Sequence, residues 1–159
     1  MNDTHDEPLL HIVLHQPEIP HNTGSVGRTC VALGAKLWLV KPLGFQVDDR
    51  NLKRSGLDYW RHLDWQVVDD WSELYRELGD PSAWLFTKKG DRDYLQAEYS
   101  QGDVLVFGSE STGLPDSILD SAEGRRLRIP TSAEVRSLNL SNSVAVAAYE
   151  ARRQILLRE

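Results

Sequence analysis

Three short stretches of this chain carry more glycine, hydroxyl and amide side chains than plain turns need. The first is HNTGSVGRT, His21–Thr29. Asn22 is a sound helix cap, and Gly24 and Gly27 let a helix start lie against another backbone. Arg28 follows Gly24 by one turn and falls on the same side. A helix start also offers free N–H groups and a positive dipole end, which suit an anion. A capped helix with a surface arginine is the plainer alternative. The second stretch is FGSESTGLP, Phe107–Pro115. Its glycines, Gly108 and Gly113, have phosphate-loop spacing, but Leu114-Pro115 stands where Lys-Ser/Thr should be, so a Walker A loop is excluded. Gly108 at a strand end allows a ligand to approach the backbone, and Pro115 can open the next helix. A turn accounts for both glycines and leaves Glu110 unexplained. The third stretch is RIPTSAEVRSLNLSNS, Arg128–Ser143. Ser137 to Ser143 enter a helix with more polar residues than one cap uses. Backbone groups in such a loop could pair with an adenine edge.

Other chemistries fail on spacing. The five histidines and one cysteine show no C-x-x-C arrangement, and their one H-x-x-x-H spacing, His11 and His15, falls in a strand candidate and not on a helix face, so no metal site is expected. There is no G-x-G-x-x-G dinucleotide fingerprint and no G-x-S-x-G nucleophile elbow. Cys30 lies in an apolar helical stretch and is expected to be a small core residue. A single cysteine excludes an internal disulfide and suits a reducing cytosol.

The elements that must hold these loops follow from the alternation of β-like and helical runs. Strands are expected at Leu9–His15, Lys36–Val40, Trp65–Val68, Ala83–Thr87, Asp103–Gly108 and Arg126–Pro130. The fifth of these is the most apolar and should be central. Helices are expected from an Asn22-Thr23 cap to Leu33, with Gly34 as stop, near Trp71–Leu78, and from Val144 to Gln154. Asp48-Asp49 can cap a further short helix carrying Leu52 and Leu57. Near-continuous apolar strands alternating with helices indicate an α/β fold with a parallel sheet covered on both faces. Ligands bind such sheets at the carboxyl ends of the strands, where all three loops fall.

The chain has 159 residues, 40% hydrophobic and 26% charged, as expected of one soluble globular domain. No apolar run is long enough for a membrane span. MNDTHDEP is acidic and polar, unlike a signal peptide, so residues 1–8 are expected to be a disordered tail and 9–159 the domain. The net charge of −6 argues against non-specific coating of nucleic acid, while leaving room for a local basic face. Cations cluster at Arg50/Lys53/Arg54, Lys88–Lys89 and Arg125/Arg126/Arg128.

Taken together and in this order, the three loops resemble the motifs of the SPOUT class of S-adenosylmethionine-dependent RNA methyltransferases. PEIPHNTGSVGRTC is similar to the first motif, LVFGSESTGLP to the second, and RIPTSAEVRSLNLSNSVAVAAYEARRQ to the third. GFQVDDRNLKRSGLDYW narrows the resemblance to the small tRNA (cytidine/uridine-34-2′-O)-methyltransferases, which lack an RNA-binding extension. The resemblance implies a C-terminal trefoil knot and a homodimer whose active site draws on both subunits. A cytoplasmic location, no metal and no membrane association are the expectations from cysteine count, ligand spacing and apolar run length given above. It implies S-adenosyl-L-methionine as cofactor, held around Phe86, Thr87, Gly108, Ser109, Gly113, Ile129, Ser137, Leu138 and Asn142. It implies Arg28 as the principal catalytic residue, with Asn22, Glu110 and Asn139 supporting it. The tRNA anticodon stem-loop, of leucine isoacceptors, would meet Arg28, Lys53, Arg54, Lys88 and Lys89. Family members typically have proline at the place of Ser109 and a bulkier residue at Thr112. A 2′-O-methyltransferase for another tRNA or rRNA position, and a non-catalytic adenosine- or RNA-binding module, are the competing readings.

Overall fold

A computed structural model of the chain describes residues 7–48, 50, 54, 59–122 and 124–159. Seven strands form one sheet: β1 (Leu10–His15), β2 (Lys36–Val40), β3 (Trp65–Val68), β4 (Ala83–Phe86), β5 (Arg92–Asp93), β6 (Asp103–Phe107) and β7 (Arg126–Arg128). Their order is β3-β2-β1-β6-β4-β7-β5, and every pairing is parallel. β6 is the middle strand of the seven, as its apolar sequence predicts. Six strands lie where the sequence places them, within two residues at each end. The seventh, β5, was not expected. It is a charged dipeptide with no β-pattern, recruited onto the sheet edge by its pairing with β7.

Both faces of the sheet are covered, which explains why its inner strands show no polar alternation. Leu10, Ile12, Leu14, Leu105 and Phe107 pack on one face under the helices α1 (Pro20–Leu33) and α4 (Leu140–Leu157). Val13, Val40, Leu85, Val104 and Val106 face the other way, toward α2 (Trp71–Leu78) and α3 (Asp116–Leu119). Ala147, Ala148 and Ala151 of α4 are fully buried, so α4 lies close over its neighbours. A larger side chain there would cost about 1–3 kcal/mol by overpacking.

The helix ends show how local signals were redirected. α1 begins two residues before the expected cap, with Pro20 in the first turn and Ile19 as an N-cap lacking a side-chain bond of its own. Asn22 is therefore inside the helix, not capping it. α1 stops at Gly34, as expected, in the left-handed conformation with φ 73°. α2 is capped by Asp70, whose carboxylate accepts from the Glu73 N–H at 2.8 Å. α4 starts four residues before Val144, because Asn139 caps it. Of the tail expected over residues 1–8, residues 1–6 lie outside the described residues. So does most of the short helix expected after Asp49.

Parallel pairing brings the carboxyl ends of β1, β4, β6 and β7 to one edge. The loops that follow these strands meet there.

Candidate active site

A cavity of about 660 Å³ opens at this edge, lined by all three loops. Its inner wall is apolar. Phe86 and Phe107, the last residues of β4 and β6, stack there with ring centroids 4.6 Å apart and planes within 11°.

The loop after β6 is folded so tightly that its first residue has to be glycine. A Cβ on Gly108 would lie 2.2 Å from the carbonyl carbon of Gly113. Gly113 is left-handed, with φ 68°, and its N–H donates to the Ser109 carbonyl at 3.0 Å. The two positions that depart from the resembled family's pattern are partners: Ser109 Oγ and Thr112 Oγ1 lie 2.7 Å apart. Together they close the loop that a proline would have stiffened.

Glu110 now has an explanation. Its carboxylate accepts from the backbone N–H groups of Glu18 (2.7 Å) and Ile19 (3.3 Å). It caps α1 from a distant loop, which is why Ile19 needs no cap of its own. The exchange is reciprocal, because the Glu18 carboxylate accepts from the Ser111 hydroxyl and from the Ser111 N–H. These bonds, the hydroxyl's first, hold the Glu18 carboxyl below the usual carboxylate range.

Asn139 performs two tasks with one amide. Its Oδ1 caps α4, accepting from the N–H groups of Ser141 (2.9 Å) and Asn142 (3.4 Å) and from the Ser141 hydroxyl (2.6 Å). Its Nδ2 donates to Asn22 Oδ1 at 3.1 Å. Asn22 is buried, so the first and third loops are tied beneath the cavity. On the remaining side, the turn after β4 lies against β7, with the Thr87 N–H donating to the Leu127 carbonyl at 2.9 Å.

Asn22, Glu110 and Asn139 all line the cavity, as do Phe86, Thr87, Gly108, Ser109, Gly113, Ile129, Ser137, Leu138, Lys88 and Lys89. Three expected site residues are placed elsewhere. Asn142 is exposed and off the cavity, with its N–H turned to the Asn139 cap. Arg54 is exposed and does not line it. Arg28 lies on the exposed side of α1, its guanidinium 4.7 Å above the Tyr59 ring and 3.4 Å from the Tyr59 hydroxyl. Lys53 lies outside the described residues. Lys89 is paired with Asp116 at 3.1 Å.

The cluster Arg125/Arg126/Arg128 does not act as one surface. Arg125 stacks on Trp84 at 3.9 Å, and Arg126 pairs with Asp91 at 3.3 Å. Arg128 alone reaches the cavity, where Arg136 joins it. Sequence reasoning missed both as site residues, although Arg128 opens the third loop and Arg136 lies within it. Cys30 is fully buried, and burial pushes its thiol well above the ordinary value, so it is core.

Comparisons with known proteins give the family. Residues 9–149 match the model of the SpoU rRNA Methylase family. A tRNA (cytidine(34)-2'-O)-methyltransferase of Methylovorus glucosotrophus is 46% identical over 147 residues, 92% of this chain and 96% of that protein. The enzyme of that name from Yersinia pestis is 44% identical over 154 residues, 92% of this chain and 94% of its own. A solved structure described as giving "Structural insights into the 2-OH methylation of C/U34 on tRNA" superposes with a TM-score of 0.88 at 46% identity, covering 94% of this chain and 97% of that one. The SpoU methyltransferase AviRb from Streptomyces viridochromogenes, solved with AdoMet, gives a TM-score of 0.80 at 27% identity, covering 93% of this chain and 58% of that one. A capped first helix, a pinched glycine loop and a polar entry to α4 thus converge on one cavity, and the chain belongs to the SpoU methylase family.

Proposed function

We propose that this chain methylates the ribose 2′-hydroxyl of the wobble nucleotide, position 34, of tRNA. The carrying observation is the convergence of three loops on one cavity, in a chain whose relatives across 92% of its length are named for that reaction. The cavity fits S-adenosyl-L-methionine: its volume is within the range of small-molecule sites, roughly 300–1,000 Å³. Apolar walls at Phe86, Ile129 and Leu138 suit an adenine ring, and the backbone at Gly108, Ser109, Gly113 and Ser137 offers polar partners. When bound, that cofactor would supply an electrophilic sulfonium methyl group for the ribose 2′-oxygen.

A 2′-hydroxyl is a weak nucleophile, so the protein must align it and favour its developing negative charge. Arg28 serves this role as an electrostatic orienter of the hydroxyl and an adjacent phosphate; a guanidinium gives up its proton too reluctantly to act as the base. Asn22, Glu110 and Asn139 hold the loops in register. Lys88, Lys89, Lys53 and Arg54 contact the anticodon stem. A wobble base is in a single-stranded loop, where its ribose is accessible. The leucine isoacceptors are proposed on the resemblance alone, and a cytoplasmic location follows from the substrate.

The active form is a homodimer, with residues 9–159 as the methyltransferase domain of each copy. Val146, Tyr149, Leu156 and Leu157 are exposed apolar residues on one side of α4, grouped around the exposed Arg153. Arg28 lies off the cavity of its own chain, consistent with a site completed by a second copy. A trefoil knot is supported by the strand order, in which β7 enters between β4 and β5 before α4 closes over β6.

Transfer of labelled methyl from S-adenosyl-L-methionine to unmodified tRNA, followed by nucleoside mapping, tests the reading. A 2′-O-methyl group at position 34 is expected. Methylation elsewhere overturns the position, and cofactor binding without turnover overturns the enzyme.

A further inference from the structure

We infer that Tyr59 is a positioning residue that holds the Arg28 guanidinium in one orientation; this rests on the catalytic role proposed for Arg28. An exposed arginine samples many rotamers, and alignment for reaction requires that freedom to be removed. Tyr59 removes it in two ways: its ring lies 4.7 Å under the guanidinium, and its hydroxyl accepts from Nη2 at 3.4 Å.

Tyr59 is itself anchored by a sequence of contacts that begins at Gly27. A Cβ at Gly27 would lie 3.1 Å from both Leu63 and Trp60, so the absence of a side chain there admits the 3₁₀ turn Trp60–His62 onto α1. The turn is closed by the His62 N–H donating to the Tyr59 carbonyl at 2.9 Å and by the Leu63 N–H donating to the Trp60 carbonyl at 3.1 Å. Trp60 packs in turn on Trp65, with centroids 5.2 Å apart. Leu63 is buried. Tyr59 immediately precedes this turn and remains 37% exposed, with the Arg28 guanidinium over its ring. Gly27 and Arg28 are adjacent in the chain, and the same segment that fills the space above one restrains the other.

The test compares Tyr59→Leu, Tyr59→Phe and Arg28→Ala in steady-state methyl transfer. Tyr59→Leu is expected to lower kcat about tenfold, with calorimetric affinity for S-adenosyl-L-methionine unchanged. Tyr59→Phe keeps the ring and should recover most of kcat. Adding Tyr59→Leu to Arg28→Ala should cost nothing further, because the two act as a unit. An inactive Arg28→Ala alongside a fully active Tyr59→Leu overturns this inference. A fully active Arg28→Ala overturns the role proposed for Arg28 instead. If Tyr59→Leu lowers the melting temperature, the Phe variant decides: a kcat as low as that of Arg28→Ala with normal melting overturns the ring's role.

Discussion

The two edges of the sheet treat the same kinds of residue in opposite ways. At the amino edge, a smaller cavity of about 320 Å³ lies between Trp84, Asp103 and Arg125, and their polar groups find partners within the chain. Trp84 Nε1 donates to Asp103 Oδ2 at 3.0 Å, and the Ser100 N–H donates to the same oxygen at 2.9 Å. Arg125 donates to the carbonyls of Ser82 and Ala83 while stacking on Trp84. At the carboxyl edge the cavity is twice as large. Lys88, Lys89, Arg128 and Arg136 line it; Lys89 pairs with Asp116, and the side chains of the other three make no hydrogen bond or ion pair among the described residues. Partnered polar groups report stability. Cations gathered around a cavity, in a chain of net charge −6, give that edge a locally positive field.

Breaking the carboxyl edge should therefore affect activity, and breaking the amino edge should affect stability. The largest effect is expected from Gly108→Ala, whose methyl group would meet the Gly113 backbone. The loop must open, and cofactor binding by calorimetry should fall below detection along with turnover. Arg28→Ala should follow, with kcat lowered about 100-fold and cofactor affinity retained. Glu110→Ala removes a cap supplied from another loop. It should cost about 1 kcal/mol, a fall of roughly 2–4 °C in melting temperature, together with weaker cofactor binding.

Asp103→Ala sharpens the contrast from the other side. It strands the Trp84 and Ser100 donors and should cost about 1–3 kcal/mol, with kcat per folded molecule unchanged. A loss of cofactor affinity equal to that of Glu110→Ala would erase the distinction between the edges. The smallest effect concerns pH. The Glu18 carboxyl is depressed in the folded state, so its stabilising contribution is present above the unfolded value of about 4.3 and is lost as pH falls through the folded one. Ser111→Ala should flatten the acid limb of a melting-temperature profile in that window and leave the profile near neutrality unchanged.

Local pattern was a good guide where local physics decides. Six strands, the centrality of Asp103–Phe107 and the stop at Gly34 all follow from apolar runs and backbone preference over a few residues. It misled where a side chain found a distant partner. Asn22 has the residue type of a cap, but its amide pairs with Asn139, 117 positions away. Glu110 caps a helix 91 and 92 positions away. Arg125 and Arg126 turn away from Arg128 because Trp84 and Asp91 offer them partners that no spacing rule contains.

By itself, the sequence determined which segments become strands and helices, and so which loops share the carboxyl edge. Apolar periodicity and the conformational limits of glycine and proline act within a few residues of chain. Only the tertiary structure decided what each polar residue does there. It made Glu110 a cap for α1, made Asn139 a tie to Asn22, and set Arg28 on Tyr59 outside the cavity of its own chain. Hydrogen-bond partners are chosen by proximity in space, and proximity is known only once the sheet has brought distant loops together.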